Sequence, residues 1–165
     1  MPSHLRDLLL LAGYAIAFWL LYQTANLFWY PSAGLRFAML LLAPIRLVIP
    51  ALVAEQGMFV LFGPFSLEEF LWPSLLITLG RYLVAASGPL LLRRLGNPIP
   101  SNPGSMGLLL GAMLATAAAT ALFNLFYPFA SLEELARSTL LLQLTVGDYI
   151  GMLVVVPPVL IATRL

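Results

Sequence analysis

Apolar residues run along this chain in stretches too long and too unbroken to be one face of a soluble helix. Residues 8–27, 47–62, 73–92, 106–126 and 140–162 are each dominated by Leu, Ile, Val, Ala and Phe, with most polar positions at their ends. One crossing of a bilayer's hydrocarbon core needs roughly 20 apolar residues, so these stretches predict membrane helices. Residues 33–43 are equally apolar but only about half a crossing long. Pro44 and Pro50 interrupt the chain just beyond them, which predicts a short, broken or tilted second helix. The breaks between runs are just as readable. Phe28, Trp29 and Tyr30 form an aromatic belt before Pro31 and Gly34, where the chain is expected to turn. Residues 95–105, with Gly96, Asn97, Pro98, Pro100, Asn102, Pro103 and Gly104, read as a loop. Ser66-Leu67-Glu68-Glu69 and Ser131-Leu132-Glu133-Glu134 are near copies of one another and read as capping boxes at helix starts on the membrane surface. The pattern therefore predicts an all-α fold, a polytopic transmembrane bundle of about six helices with the second short or broken. Arg6, Arg93, Arg94 and Arg164 then fall on one side, which predicts that both termini are cytoplasmic.

Composition agrees and removes other classes. Of 165 residues, 61% are hydrophobic and 9% charged, and the mean hydropathy of +0.97 leaves no room for a soluble domain. The first run is too long for a signal peptide, and no small-residue cleavage site follows a short apolar core. Absence of cysteine excludes disulfides and thiolate metal sites. The eight basic residues are all arginine, and a net charge of +1 offers no polybasic surface for nucleic acid.

Chemistry is carried by the few charges inside the apolar runs. Asp148 stands in the last run between Gly147 and Tyr149, and Glu55, followed by Gln56, lies near the centre of the third. A carboxylate at mid-bilayer costs at least about 2.5 kcal/mol, so such residues face protein or water and usually have a partner. Counted from the outer ends of their runs, Glu55, Arg81 and Asp148 each lie roughly 12 to 14 Å deep at 1.5 Å per residue. Arg36 is expected to be shallower and on the same side. Two acids and two arginines can then line an outward-opening pocket, walled by Trp29, Tyr30, Tyr82 and Tyr149. One acid is expected to pair with Arg81 and the other to meet a ligand. Carboxylates beside aromatic faces suit a cation such as an amine or polyamine, whereas Arg36 and Arg81 suit a carboxylate or phosphate. The pattern favours the amine and leaves the anion open. The small residues of 106–126, from Gly107 to Ala121, read as a tightly packing surface, with Asn124 near its end within reach of a cavity. No cofactor or metal is called for, since Glu55 and Asp148 alone are too sparse a ligand set. No nucleophile and base stand in a pattern that suggests catalysis.

Three stretches together resemble a family. Tyr30-Pro31-Ser32-Ala33-Gly34-Leu35 resembles the Trp-Pro-Pro-Ala/Ser-Gly opening of the membrane-associated sensor domains of the first type. Leu91-Leu92-Arg93-Arg94-Leu95-Gly96, preceded by Gly80 and Gly88, is similar to their central segment. Gly147-Asp148-Tyr149-Ile150-Gly151-Met152-Leu153-Val154-Val155-Val156-Pro157 resembles their closing Gly-Asp-x-x-Gly-x-Leu-x-x-x-Pro signature. Tyr30 stands where the family usually has Trp, and Arg81 where an amide is expected. The resemblance implies a non-catalytic sensory domain in the bacterial inner membrane, placed before a diguanylate cyclase, phosphodiesterase or histidine kinase and working as a homodimer. Residues 1–165 are then a single input module whose output domain would begin beyond Leu165. On this reading a ligand shifts the last helix, for which Pro157 and Pro158 offer a place to bend. The alternative is a small transporter, or a substrate-binding membrane subunit similar to those of vitamin importers.

Overall fold

The computed structural model of the chain describes residues 3–25, 29–62, 74–96, 100, 102–126 and 134–163, without the side chains of 74–78, 124–126 and 134–138. Among the described residues the architecture is all-helical, without strands. In order it comprises α1 (Ser3–Gln23), α2 (Pro31–Leu42), a 3-10 turn (Ile45–Leu47), α3 (Val48–Phe62), α4 (Ser74–Arg94), α5 (Pro103–Phe126) and α6 (Glu134–Ala162). Phe28, Arg164, the Asn124 side chain and both expected glutamate capping boxes lie outside this description.

Prolines that read as breaks turn out to start helices. Pro31 occupies the first turn of α2, where its missing N–H is one that no helix would use. The helix ends at Ala43, which is extended because Pro44 biases its predecessor away from helical geometry. Residues 31–42 thus form one unbroken helix of 12 residues, about 18 Å long. Pro50 falls in the first turn of α3 and is tolerated for the same reason as Pro31. Pro103 opens α5 behind a reciprocal cap: Ser105 N–H donates to Asn102 Oδ1 at 2.8 Å and Asn102 N–H to Ser105 Oγ at 3.1 Å. That cap shortens the expected 95–105 loop. Gly96, at φ 78°, supplies the left-handed residue that closes α4. The last helix runs unbroken through Pro157 and Pro158 to Ala162.

Among the described residues, four helical segments are long and apolar enough to cross a membrane: Ser3–Gln23, Ile45–Phe62, Pro103–Phe123 and Thr139–Ala162. The other two helices are α2, apolar but only 12 residues long, and α4, whose side chains are described only from Leu79 onward.

Packing makes α2 the axis of the bundle. It lies along α6 and also touches α1 and α4, while α5 packs between α4 and α6 and α3 pairs with α1. Phe37, Ala38 and Leu41 of α2 meet Met113 and Ala117 of α5 and Met152, Val156 and Leu160 of α6 in the main core. The outer faces are the reverse of a soluble protein's. Leu8, Ile49, Val53, Leu83, Leu108, Leu142 and Ile161 are all exposed, as expected of a surface solvated by lipid.

One end of the bundle is fastened by arginines. Arg46 forks onto Asp7, with Nε 2.8 Å from Oδ2 and Nη2 3.1 Å from Oδ1. Arg93 Nη1 donates to Leu40 O at 3.0 Å and Ala43 O at 2.7 Å, filling carbonyls that the end of α2 leaves without helical partners. The start of α1, the end of α2, the start of α3 and the end of α4 therefore share one end.

Candidate functional site

The site is set by a seam in which two helices touch through their backbones. Tyr30 N–H, just before α2, donates to Gly147 O of α6 at 3.3 Å. A Cβ on Gly151 would stand 2.1 Å from Tyr30 O, and one on Gly34 would stand 2.3 Å from Gly151 O. Real Cβ atoms do not come so close, so glycine at 34 and 151 is what lets α2 and α6 approach. Gly147 and Gly151 are spaced as small residues are at close membrane helix crossings. Tyr30 meets Gly147 and Gly151 while Gly34 meets Gly151 and Val155, so the two helices run parallel.

Asp148 sits inside this seam. It is 7% exposed and makes no hydrogen bond or ion pair among the described residues. Arg81, on α4, is half-buried and also without a hydrogen bond or ion pair among the described residues, and its Nε is fully buried without a partner. Ser32, the second residue of α2, buries its hydroxyl completely and likewise without a partner among the described residues.

Glu55 and Arg36 are committed to each other. Arg36 Nη2 lies 2.6 Å from Glu55 Oε2, and its Nε lies 2.9 Å from Oε2 and 3.2 Å from Oε1. Tyr14 of α1 donates its hydroxyl to Glu55 Oε1, and the Phe18 ring lies 5.2 Å from the Arg36 guanidinium carbon. The carboxylate is wholly buried yet surrounded by donors, an arrangement that holds α1, α2 and α3 together.

Two expectations change. Neither acid is bonded to Arg81 among the described residues, and the cation paired with Glu55 is Arg36. The charges also do not share one depth with Arg36 as the shallow member. Asp148 is level with Tyr30, where α2 begins, and Arg36 lies roughly 9 Å further along the axis at 1.5 Å per residue. Tyr82 turns away from the seam, since its hydroxyl donates to Val48 O at 2.9 Å and its ring packs with Leu40 and Ala86. Trp29, Tyr30 and Tyr149 are half-buried around the start of α2, with Tyr30 and Tyr149 against the main core.

Sequence reasoning missed Tyr14, Phe18, Ser32 and an aromatic wall on α1 and α3. Tyr22 meets Tyr30 edge-on at 6.1 Å and Phe59 at 4.8 Å, and Trp19 stacks on Tyr22 at 5.6 Å. Trp19 and Tyr22 stand three residues apart, on one helix face, and that spacing was the available signal. Among the described residues no group of three metal-ligating side chains comes together.

The MASE1 family model matches residues 7–165, nearly the whole chain. The chain belongs to the MASE1 family of membrane-associated sensor domains. No curated protein and no solved structure matches it. In this MASE1 chain the three resembling stretches converge on α2. Tyr30 to Leu35 begins that helix, Gly147 to Val155 forms the other half of its seam, and Arg93 of the central segment holds its far end. A MASE1 domain is a sensory input domain and not itself catalytic.

Proposed function

We propose that this chain is the ligand-sensing transmembrane input unit of a bacterial inner-membrane signalling protein. Asp148 receives a cationic group of a small polar molecule such as an amine or polyamine. Trp29, Tyr30, Tyr149 and Tyr22 supply apolar and π surface beside it. The arginine-fastened end faces the cytoplasm by the positive-inside rule, so the ligand enters from the opposite side. The signal leaves through α6 to a cytoplasmic diguanylate cyclase, phosphodiesterase or histidine kinase, in a homodimer.

The observation that carries this reading is a buried acid, without a partner among the described residues, at the contact between the central helix and the last one. An unpaired charge in an apolar bundle is costly and is rarely kept unless it is used. Its location also supplies the mechanical link. A ligand shifts an equilibrium only by binding one arrangement better than the other, and a group bound at Asp148 acts where the α2–α6 spacing is set. The Arg36–Glu55–Tyr14 cluster holds the frame against which α6 moves.

The reading is tested by thermal unfolding of the purified chain in lipid nanodiscs against amines, polyamines and anions. A ligand at 100 times its dissociation constant stabilises by about 2.7 kcal/mol. Stabilisation by an amine, lost in Asp148→Asn, is expected. Stabilisation by anions alone would overturn the assignment of Asp148.

A further inference from the structure

Four helices of the bundle close into a ring. α2 packs on α4, α4 on α5, α5 on α6 and α6 back on α2, which sets α4 and α6 at opposite corners. Asp148 stands on one of these corners and Arg81 on the other. The two remaining helices each bring a buried hydroxyl without a partner, Ser32 on α2 and Thr120 on α5, with Thr116 a turn away on α5. All the fully buried, unpartnered side-chain polar atoms among the described residues, Ser32 Oγ, Arg81 Nε, Thr116 Oγ1 and Thr120 Oγ1, thus belong to the ring that also holds Asp148. Buried polar atoms normally find partners. Thr116 Oγ1 faces Gly88 in the α4–α5 contact, which leaves Ser32, Arg81 and Thr120 as groups that a bound polar molecule would satisfy.

The charges indicate what that is. Asp148 and Arg81 are opposite charges on two helices of one ring, and neither makes a hydrogen bond or ion pair among the described residues. Opposite charges in a medium of low dielectric attract strongly, so a molecule carrying both signs can satisfy an acid and a base that stand unbonded on two helices of one ring. Asp148 follows Gly147 of the seam, and Arg81 follows Gly80, where α4 closes on α5 so that an added Cβ would stand 2.7 Å from the Phe123 ring. Towards the fastened end the ring is filled by Phe37, Met113 and Val156.

We propose that the ring formed by α2, α4, α5 and α6 binds a small dipolar ion of the amino-acid class, its ammonium on Asp148 and its carboxylate on Arg81, with the Ser32 and Thr120 hydroxyls as neutral partners. The proposal rests on the reading of Asp148 as a cation site and adds the second charge. It explains why an acid and a base in one bundle are both left without bonds: either alone calls for a singly charged ligand, and together they call for both signs on one molecule.

The test compares five probes on the purified chain in nanodiscs by thermal unfolding and calorimetric titration: glycine, β-alanine, γ-aminobutyrate, butylamine and butanoate. One of the three dipolar probes is expected to bind at least about tenfold more tightly than butylamine or butanoate, since losing one charge-assisted contact is worth about that much. Asp148→Asn and Arg81→Gln should each weaken it by about tenfold or more. Butylamine binding as tightly as any dipolar probe, with Arg81→Gln indifferent, would overturn the dipolar ligand and leave the cation site standing. Butanoate as the tightest probe, or no binding by any of the five, would overturn both. If a variant does not fold, the ranking of the five probes on the unaltered chain decides.

Discussion

Two buried acids in one bundle have opposite surroundings, and that difference fixes what their removal should do. Glu55 accepts from Arg36 and Tyr14 and is wholly buried. Removing its charge by Glu55→Gln leaves the buried Arg36 guanidinium without a counter-charge. Breaking a buried pair in this way typically costs about 3 to 5 kcal/mol. The double variant Arg36→Met with Glu55→Leu should recover much of that loss, because both uncompensated groups are gone. Chemical unfolding in detergent micelles measures both. Asp148 should behave in the opposite sense: with no bonded partner to strand, Asp148→Asn should leave the chain at least as stable as before while abolishing ligand response. A folded Glu55→Gln chain of unchanged stability, or an Asp148→Asn chain that cannot be purified folded, would contradict this division of roles. The sequence made both acids visible, because a carboxylate amid Leu and Val stands out. It did not reveal which arginine each acid faces. That depends on how each helix is rotated about its axis, which nearly all-apolar helices do not encode. Tyr14 was hidden for a related reason, since a tyrosine in an apolar run has no signature until its partner is known.

At the scale of the helix, the glycines divide into those in contact and those in the open. Gly34 and Gly151 have no room for a Cβ, whereas one on Gly111 would meet nothing within 4 Å. Gly151→Ala must push Tyr30 and the start of α2 away from α6, at a cost of the order of the 1 to 3 kcal/mol seen for overpacking. Gly111→Ala should be neutral or slightly stabilising, because alanine is the better helix former by about 1 kcal/mol. Thermal unfolding of the two variants side by side checks the pair, and equal effects would mean that the seam does not bear on stability. The helix count was legible from run length and the punctuation from Pro and Gly. Whether Pro31, Pro50 and Pro103 end a helix or begin one was not, since proline is excluded from helix interiors but suits the first turn. The Gly147 and Gly151 spacing was legible as a packing signal, but nothing in it names α2 as the helix that fits there.

For the whole molecule the open question is how the chain threads the bilayer, and the fastened end supplies the argument. Arg46 bonds to Asp7, so the start of α3 lies at the same end as the start of α1. A chain that crosses in α1 can begin α3 there only if α2 brings it back, short as it is. Arg93, held by Leu40 O and Ala43 O, requires the same of α4. Six alternating passes are then expected, and four of the described segments have the length and apolarity of a crossing. Because the chain contains no cysteine, each introduced one is a unique label. Ser3→Cys, Leu95→Cys and Thr163→Cys should react with an impermeant maleimide only in inverted vesicles, and Thr24→Cys only in intact cells. Phe62→Cys, at the exposed end of α3, separates the two arrangements. With six passes it reacts from outside. With four passes α3 would start outside and end within, so Phe62→Cys would react only in inverted vesicles. In that case the Arg46–Asp7 bond could not exist in the membrane, and α2 would be a helix that enters without crossing.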